Sequence, residues 1–295
     1  MRPGGAGGIL GAIALVVHAV LAGRELAAAA AVAGTRAALA ACADPARMVL
    51  IPQGSFWMGS DAVERRLAYA LSSQSVREAR WFEAEWPRTR ASLPAFCLDR
   101  RLVTQAEYAV FVGATGHRPP GISKVDYLRQ GFLVHDYDLE VTRYLWRSGT
   151  PPANRLEDPV VLVSAGDAEQ YCRWRHSAFR LPGEAEWEKG ARGADGRIFP
   201  WGNRWDPQRA NSAAGGPGGT TPADRYPAGA SPYGIFDAVG NSFQWTASTL
   251  PDGRRVVKGC AWDDEPGLCR PAFRHGRPPE SRHILIGFRC AADAP

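Results

Sequence analysis

RLPGEAEWEKGARGADGRIFPWGN, the stretch at residues 180–203, carries the strongest structural signal in the sequence. It predicts a short helix over Gly183–Arg192, because three glutamates fall in the first turns, where the helix dipole favours negative charge. Gly193 follows, at the position where a left-handed residue commonly ends a helix. The apolar segment Ile198–Trp201 comes next. Its aromatic and proline content predicts a rigid core element.

This stretch resembles the signature of the formylglycine-generating-enzyme family, also called the sulfatase-modifying-factor family. That signature reads Arg-Leu-Pro-Thr-Glu-Ala-Glu-Trp-Glu, then Ala-Arg-Gly, then Pro-Trp-Gly-Asn. Gly183 replaces the threonine, which costs the helix only roughly a few tenths of a kcal/mol. Weaker matches extend the resemblance over residues 48–292. It implies an α+β fold of the C-type-lectin-like kind, with little regular secondary structure, in a single domain at residues 45–293.

Composition supports a compact, loop-rich domain. The chain of 295 residues has 32 glycines, 23 prolines and 10 tryptophans. Its net charge of +5 is modest, and no basic run with interleaved aromatic residues is present. This pattern argues against a nucleic-acid partner.

The N-terminal segment predicts export. Met1-Arg2 precedes an apolar run over Gly8–Gly23, which is shorter than the roughly 20 residues of a spanning helix and typical of a signal sequence. We interpret residues 1–41 as a signal peptide and spacer. The alternative is an uncleaved anchor that tethers the protein to the inner membrane. Leu39–Cys42 also resembles a lipoprotein cleavage box, but it lies far from the apolar run. Either way, we expect a periplasmic or secreted protein.

Four apolar runs are predicted to form strands. Met48–Ile51 and the run at Phe56–Met58 resemble the opening hairpin of the family. Leu93–Asp99 is predicted to form a core strand, and Val160–Val163 a buried one.

Two capping patterns predict helices. Thr104 with Glu107 would begin a helix over Gln105–Thr115, and Ser164 with Asp167 would begin another. We expect the first helix to bury one face made of Ala106, Val110 and Ala114, with Tyr108 and Phe111 beside it.

The segment His135–Glu140 places three acids at alternate positions. In a strand these acids would share one face and could hold a hard cation. A short pattern of this kind is more typical of a solvated edge or loop, which is the interpretation we favour.

The resemblance implies calcium as a cofactor. Asn211 matches the first calcium position of the family, but no carboxylate occurs between Ser212 and Thr221. Asn241 and Gln244 match the second, where Gln244 replaces a glutamate and so removes one charge from the ligand set. The alternative is that both amides make backbone hydrogen bonds in a tight loop.

The resemblance also implies where copper chemistry would lie. Formylglycine-generating enzymes hold copper(I) with two cysteines and use dioxygen to convert a substrate cysteine to formylglycine. Cys269 matches the second cysteine, but Asp264 stands at the first, and a carboxylate is a poor ligand for copper(I). Ala261 and Glu265 also depart from the family pattern. We therefore expect neither copper nor the strict reaction unless Cys260 supplies the missing ligand.

The six cysteines allow many pairings. The resemblance implies a disulfide between Cys172 and Cys290. Cys42 and Cys97 flank the expected hairpin and are a candidate pair. Cys260 and Cys269 are then left as two thiols or as a disulfide, which an oxidising compartment favours and which would exclude metal binding.

We carry two hypotheses of function. In the first, the protein is an enzyme that oxidatively modifies an exported peptide, protein or small molecule. Its reactive groups would be Cys269 and Cys260, with Asp263, Asp264 and Arg274 as polar partners in the cleft. The iron motif His-x-x-x-His-x-Glu of related sulfoxide synthases is absent from the sequence.

In the second hypothesis the protein is a non-catalytic module that binds a peptide or glycan in an aromatic groove. Trp245 and Trp262 would be its contacts. The redox state of Cys260 and Cys269 discriminates between the two hypotheses.

Overall fold

The computed structural model describes residues 42–131 and 135–294. The signal or anchor predicted at residues 1–41 lies outside these ranges. Within them, no helix has the length and apolar character needed to cross a membrane.

The described residues form an α+β fold with short elements. The helices are α1 (Ala62–Ala70), α2 (Gln74–Glu78), α3 (Gln105–Thr115), α4 (Lys124–Arg129), α5 (Ala165–Arg175) and α6 (Glu184–Arg192). The strands are β1 (Met48–Ile51), β2 (Gly54–Met58), β3 (Thr89–Leu93), β4 (Phe96–Asp99), β5 (Phe243–Thr249), β6 (Arg255–Lys258), β7 (Arg274–Arg277), β8 (Ile286–Gly287) and β9 (Ala291–Asp293).

These strands form three small sheets. The first has the order β1-β4-β9, the second pairs β2 with β3, and the third has the order β7-β6-β5-β8. Pairing is antiparallel except between β5 and β8. The third sheet positions the candidate site, because the loop between β6 and β7 carries Cys260 to Cys269.

The predicted opening hairpin is wrong. Both strands form, but β1 pairs with β4 and β2 pairs with β3. Between them, the Lys189 ammonium of α6 binds the carbonyl oxygens of Pro52 and Gly54, at 2.5 and 3.1 Å. These carbonyls bond to α6 rather than across a hairpin turn, and the chain passes from one sheet to the next.

The other two strand predictions need correction. The strand at Leu93–Asp99 is interrupted, because Pro94 lies between β3 and β4 and cannot donate to a ladder. Val160–Val163 is buried as predicted but forms no strand. Leu162 has a positive φ of 61°, and its carbonyl accepts hydrogen bonds from Gly121 and Arg282 instead of a neighbouring strand.

Both capping boxes are confirmed. Thr104 caps α3 and Ser164 caps α5, each with the reciprocal bond from the third helical residue. The predicted buried face of α3 is wrong, because the buried side chains are Gln105, Tyr108 and Phe111, whereas Val110 is 63% exposed. The aromatic residues outcompete the small ones for the core, since they remove more apolar surface from water.

Helix α6 lies at the centre of the molecule and contacts β2, β5 and β6. Gly183 stands at its N-cap and Gly193 ends it with φ of 80°. Its charged residues do more than match the helix dipole: Glu188 and Arg192 are fully buried and belong to an ion network that includes Lys258. A charge inside a protein needs partners of this kind, because burying it unpaired is costly.

Three disulfides join all six cysteines. Cys172 bonds to Cys290, as the resemblance implied, Cys42 bonds to Cys97, and Cys260 bonds to Cys269. Disulfides persist in oxidising compartments. The three bridges therefore indicate an exported protein.

Candidate functional site

The candidate site lies on the loop that joins β6 to β7. A disulfide between Cys260 and Cys269 closes the base of this loop, with α-carbons 4.9 Å apart. Both cysteines are fully buried. Directly after Cys269, the buried guanidinium of Arg270 binds the carboxylates of Glu64 and Glu85 and the carbonyl of Gly267. The disulfide and these bonds therefore restrain the base of the loop.

The disulfide bears on the reactive role predicted for Cys260 and Cys269. Copper(I) is bound by thiolates, and a disulfide offers none. A copper site at these two residues does not fit the oxidised chain. Across residues 42–131 and 135–294, no group of three or more histidine, cysteine, aspartate or glutamate side chains has an arrangement that could hold a metal ion.

Asp263 is bonded to a histidine from a distant part of the sequence. His135 places its Nε2 2.9 Å from Asp263 Oδ2 and its Nδ1 3.1 Å from Glu140 Oε2. The ring of Trp262 packs against the same imidazole, with centroids 4.9 Å apart. Burial alone would lower the pKa of His135, but the two carboxylates outweigh it and raise the pKa of the imidazole. The protonated ring is thus favoured between two negative charges.

Asp264 differs from its neighbour in its contacts and burial. Its Oδ2 accepts a hydrogen bond from the backbone N–H of Ala261 at 2.7 Å. Burial, followed by the charge of Asp263, raises the pKa of Asp264 well above its usual value. Arg277 on β7 opposes this shift without cancelling it. The loop therefore presents one carboxylate bonded to an imidazole and one buried carboxyl group whose pKa is raised.

Sequence reasoning missed His135 and Glu140 as members of this site. The segment is a turn, as in the loop interpretation, so its acids do not share a strand face. Only the fold brings His135 to Asp263, 128 residues later. The spacing of the acids gave no signal for that contact.

The two predicted tryptophan contacts differ. Trp245 is fully buried, and its indole N–H donates to the carbonyl of Val163 at 3.0 Å. It is a core residue, so the predicted contact between Trp245 and a ligand is wrong. Trp262 is 6% exposed and lies beside Asp263, so it forms a wall of the site rather than an open platform.

Arg274 is not a partner of the two aspartates. Its guanidinium forms two hydrogen bonds with Glu184, at 2.8 and 2.9 Å, and lies over the ring of Trp86. It joins β7 to α6. Arg274 therefore stabilises the third sheet and the aromatic surface beside it.

The residues expected to hold calcium form a hydrogen-bonded junction. Asn211 donates to Oδ1 of Asn241 at 3.1 Å, and Asn241 donates to the carboxyl of Asp237 at 2.8 Å. Gln244 Oε1 accepts from Arg289 Nε at 2.6 Å and from the indole of Trp187 at 2.7 Å.

This junction does not fit a calcium ion. Calcium takes six to eight oxygen ligands, usually including carboxylates. The oxygen of Gln244 instead faces the positive charge of Arg289, and burial raises the pKa of Asp237 to about 7, which weakens its negative charge. The alternative is backbone hydrogen bonding in a tight loop. Asn241 does donate to the carbonyl of Thr221 at 3.0 Å and Gln244 to that of Asp237 at 2.8 Å, and the side-chain bonds add to these.

The sequence matches a known protein family over most of its length. Residues 35–294 match the family described as Sulfatase-modifying factor enzyme 1-like domain. The chain belongs to the sulfatase-modifying factor family. The fold predicted from residues 180–203 is thereby confirmed.

Two relatives in this family have different names. The chain is 33% identical to the mouse (Mus musculus) protein named Inactive C-alpha-formylglycine-generating enzyme 2, over 85% of this chain and 87% of that one. It is 30% identical to the Formylglycine-generating enzyme of Bos taurus, over 84% of this chain and 75% of that one.

Among solved structures, the chain is similar to PvdO from Pseudomonas aeruginosa. The TM-score is 0.63 at 23% identity, covering 83% of this chain and 94% of that one. At this identity the likeness concerns the fold. Because one fold supports many activities, the side chains of the site must decide the activity.

Proposed function

We propose that this protein is a periplasmic or secreted member of the sulfatase-modifying factor family that binds a peptide, protein or small molecule at the loop between Cys260 and Cys269. We further propose that the oxidised chain does not convert cysteine to formylglycine with copper. The disulfide between these two cysteines is the observation that carries the proposal.

The chemistry of the loop supports this function. A copper(I) site needs soft ligands, and the two sulfur atoms of the loop are bonded to each other. Asp264, at the position of the first copper cysteine, offers a hard oxygen ligand, and burial raises the pKa of its carboxyl group. The disulfide and the aspartate at position 264 both lower the affinity of the loop for copper(I).

The relatives give support of a weaker kind. A protein of the same family, 33% identical to this chain, is named as inactive, and another at 30% identity is named as the active enzyme. Sequence identities of 33% and 30% are too similar to assign this chain to the active or to the inactive relative. The ligands in the loop can make this assignment, and they favour a protein without the copper reaction.

The polar groups of the loop suit a ligand with N–H donors. Asp263 is 17% exposed, and its Oδ1 has no hydrogen-bond partner among the residues described. This oxygen is closed to solvent in the present conformation, so a ligand reaches it only if neighbouring side chains shift. A donor that did so would recover the free energy that an unpartnered buried acceptor loses. A peptide amide, an ammonium or a guanidinium would serve.

The first experiment tests the copper reaction. The full-length chain, produced in an oxidising compartment, is incubated with copper(I), dioxygen and a cysteine-containing sulfatase peptide, with an active formylglycine-generating enzyme as the positive control. We expect no bound copper and no formylglycine. One tight copper per chain with turnover of the peptide would overturn the proposal.

A second experiment tests binding at Asp263. A random peptide library displayed on phage is selected on the wild-type protein and counter-screened on Asp263→Asn. Asp252→Asn, which changes an exposed acid elsewhere, is the matched control. We expect enriched peptides to lose binding only to Asp263→Asn, and equal binding to all three proteins would refute this site.

Oxidoreductase chemistry of the reduced chain is a second candidate. Reduction would free two thiols on α-carbons 4.9 Å apart, and two thiolates are suitable ligands for copper(I). Copper titration after mild reduction tests it. A tight copper that is lost in Cys260→Ser and in Cys269→Ser would support this candidate over the binding function.

A further inference from the structure

A separate cleft of about 270 Å³ lies beside β7, on a surface that the loop site does not use. Its walls come from the segment after α2, the loop between β5 and β6, and β7 itself. Cavities of roughly 150 Å³ hold benzene. This cleft therefore has room for one ring or two fused rings.

One wall of the cleft is aromatic. The indole of Trp81 lies nearly parallel to Phe273, with an interplanar angle of 5°, and to His275, with an angle of 18°. The ring centroids are 6.4 and 5.7 Å apart. Phe273 is buried and fixes the group, whereas Trp81 is 40% exposed. A large indole surface is thus held rigidly and left open to solvent.

His275 adds a polar atom to this wall. Its Nε2 is shielded from solvent and has no hydrogen-bond partner in the described part of the chain. Burial, with the charges of Arg277 and Arg254, lowers the pKa of His275 to about 3. The ring is neutral at physiological pH and can donate or accept one hydrogen bond.

The cleft carries an excess of positive charge. Arg254 pairs with Asp252, and Arg274 pairs with Glu184. Arg80 also lines the cleft and has no carboxylate partner among residues 42–131 and 135–294. Its φ of 53° is a left-handed conformation that residues other than glycine rarely adopt.

Gly276 keeps the cleft in its present shape. A Cβ atom there would lie 2.4 Å from Cδ1 of Leu250 and 3.2 Å from Cζ of Arg254. Both of these side chains line the cleft. A larger residue at this position would push the ends of these two side chains out of their present positions in the cleft.

We propose that this cleft binds an aromatic carboxylate, with its ring against Trp81 and its carboxylate at Arg80. An exposed aromatic face favours a stacked ring, and an unpaired guanidinium favours a carboxylate. A free small molecule and the C-terminal aromatic residue of a peptide present the same chemistry. The inference goes beyond the function proposed for the Cys260–Cys269 loop and stands whether or not that loop binds a ligand.

Isothermal titration of the full-length protein tests the ligand class. The probes are 2-naphthoate and N-acetyltryptophan, which represent a free acid and a peptide C-terminus. The controls are 2-naphthamide, which lacks the charge, and cyclohexanecarboxylate, which lacks the ring. We expect one site for at least one acid, with each control weaker by about tenfold. The tighter of the two acids assigns the source of the ligand.

Variants then locate the binding. Trp81→Ala and Arg80→Gln should each weaken the bound acid about tenfold, and Trp81→Phe, which keeps an aromatic ring, should weaken it less. Trp174→Ala and Arg66→Gln, at exposed positions outside the cleft, are the matched controls. Circular dichroism confirms that each variant is folded.

Three results would overturn the proposal. The first is no binding of either acid. The second is equal binding of an acid and its control compound. The third is an equal effect of Trp81→Ala or Arg80→Gln and the matched controls outside the cleft. Each result is independent of the copper and peptide experiments on the loop.

Discussion

Two of the disulfides constrain very different lengths of chain. Cys172–Cys290 joins α5 to the C-terminal strand region across 118 residues, whereas Cys260–Cys269 closes a loop across nine. In the chain-entropy description, the first contributes about 5 kcal/mol to the free energy of unfolding and the second about 2.5 kcal/mol. The long bridge therefore serves mainly stability. The short one sets the shape and chemistry of a single loop.

The largest effect should follow loss of the long bridge. Cys172→Ala with Cys290→Ala is expected to lower the free energy of unfolding by about 4–5 kcal/mol, because the unfolded chain regains the entropy of a long loop. Urea denaturation measures this loss. A smaller loss than for the short bridge would contradict the comparison.

Loss of the short bridge should cost less and change the site more. Cys260→Ala with Cys269→Ala is expected to lower the free energy of unfolding by about 2–3 kcal/mol while the fold is retained. The same variant should lose ligand binding at Asp263, because the loop is no longer closed at its base. Unchanged binding would show that Arg270 alone fixes the loop.

A smaller, pH-dependent effect is expected for His135. Its pKa is raised in the folded state, so its stabilising contribution is complete below the ordinary pKa of about 6.5 and is lost as pH rises through the folded value. His135→Asn should be less stable than wild type by about 1 kcal/mol near pH 5.5, with a smaller difference at higher pH. Thermal unfolding across this range measures it.

His176→Asn, at an exposed histidine outside this contact, is the matched control. If the stability difference between wild type and His135→Asn grew with pH, it would contradict the assignment of a protonated imidazole to His135.

The smallest effect is expected for calcium. A site with a dissociation constant of about 10 μM would add about 2.7 kcal/mol at about 1 mM calcium. Because Arg289 already faces the oxygen of Gln244, we expect no measurable change in melting temperature between calcium and a chelator. A rise of several degrees in melting temperature with calcium would contradict this expectation and indicate that the junction binds calcium.

The sequence predicted the local features of the fold well. The capping residues of α3 and α5 and the glycines at both ends of α6 act through bonds a few residues apart, which a sequence displays directly. The pairing of Cys172 with Cys290 followed from family resemblance and not from spacing.

Features that depend on distant partners were predicted less well. The run at Val160–Val163 looked like a strand, but its backbone bonds to loops and to Arg282. Trp245 looked like a ligand contact, but it is a core residue bonded to Val163. His135 reaches Asp263 only through the folded chain, and no local pattern in the sequence encodes that contact.

The most direct test of the account is the redox state of Cys260 and Cys269 in protein taken from an oxidising compartment. Free thiols are alkylated before and after reduction, and the tryptic peptide that contains both cysteines is examined by mass spectrometry. We predict an unalkylated peptide that is lighter by two hydrogens before reduction and carries two alkyl groups after it. Two alkyl groups without reduction, together with one bound copper per chain, would contradict the account and indicate an oxidase site in this loop.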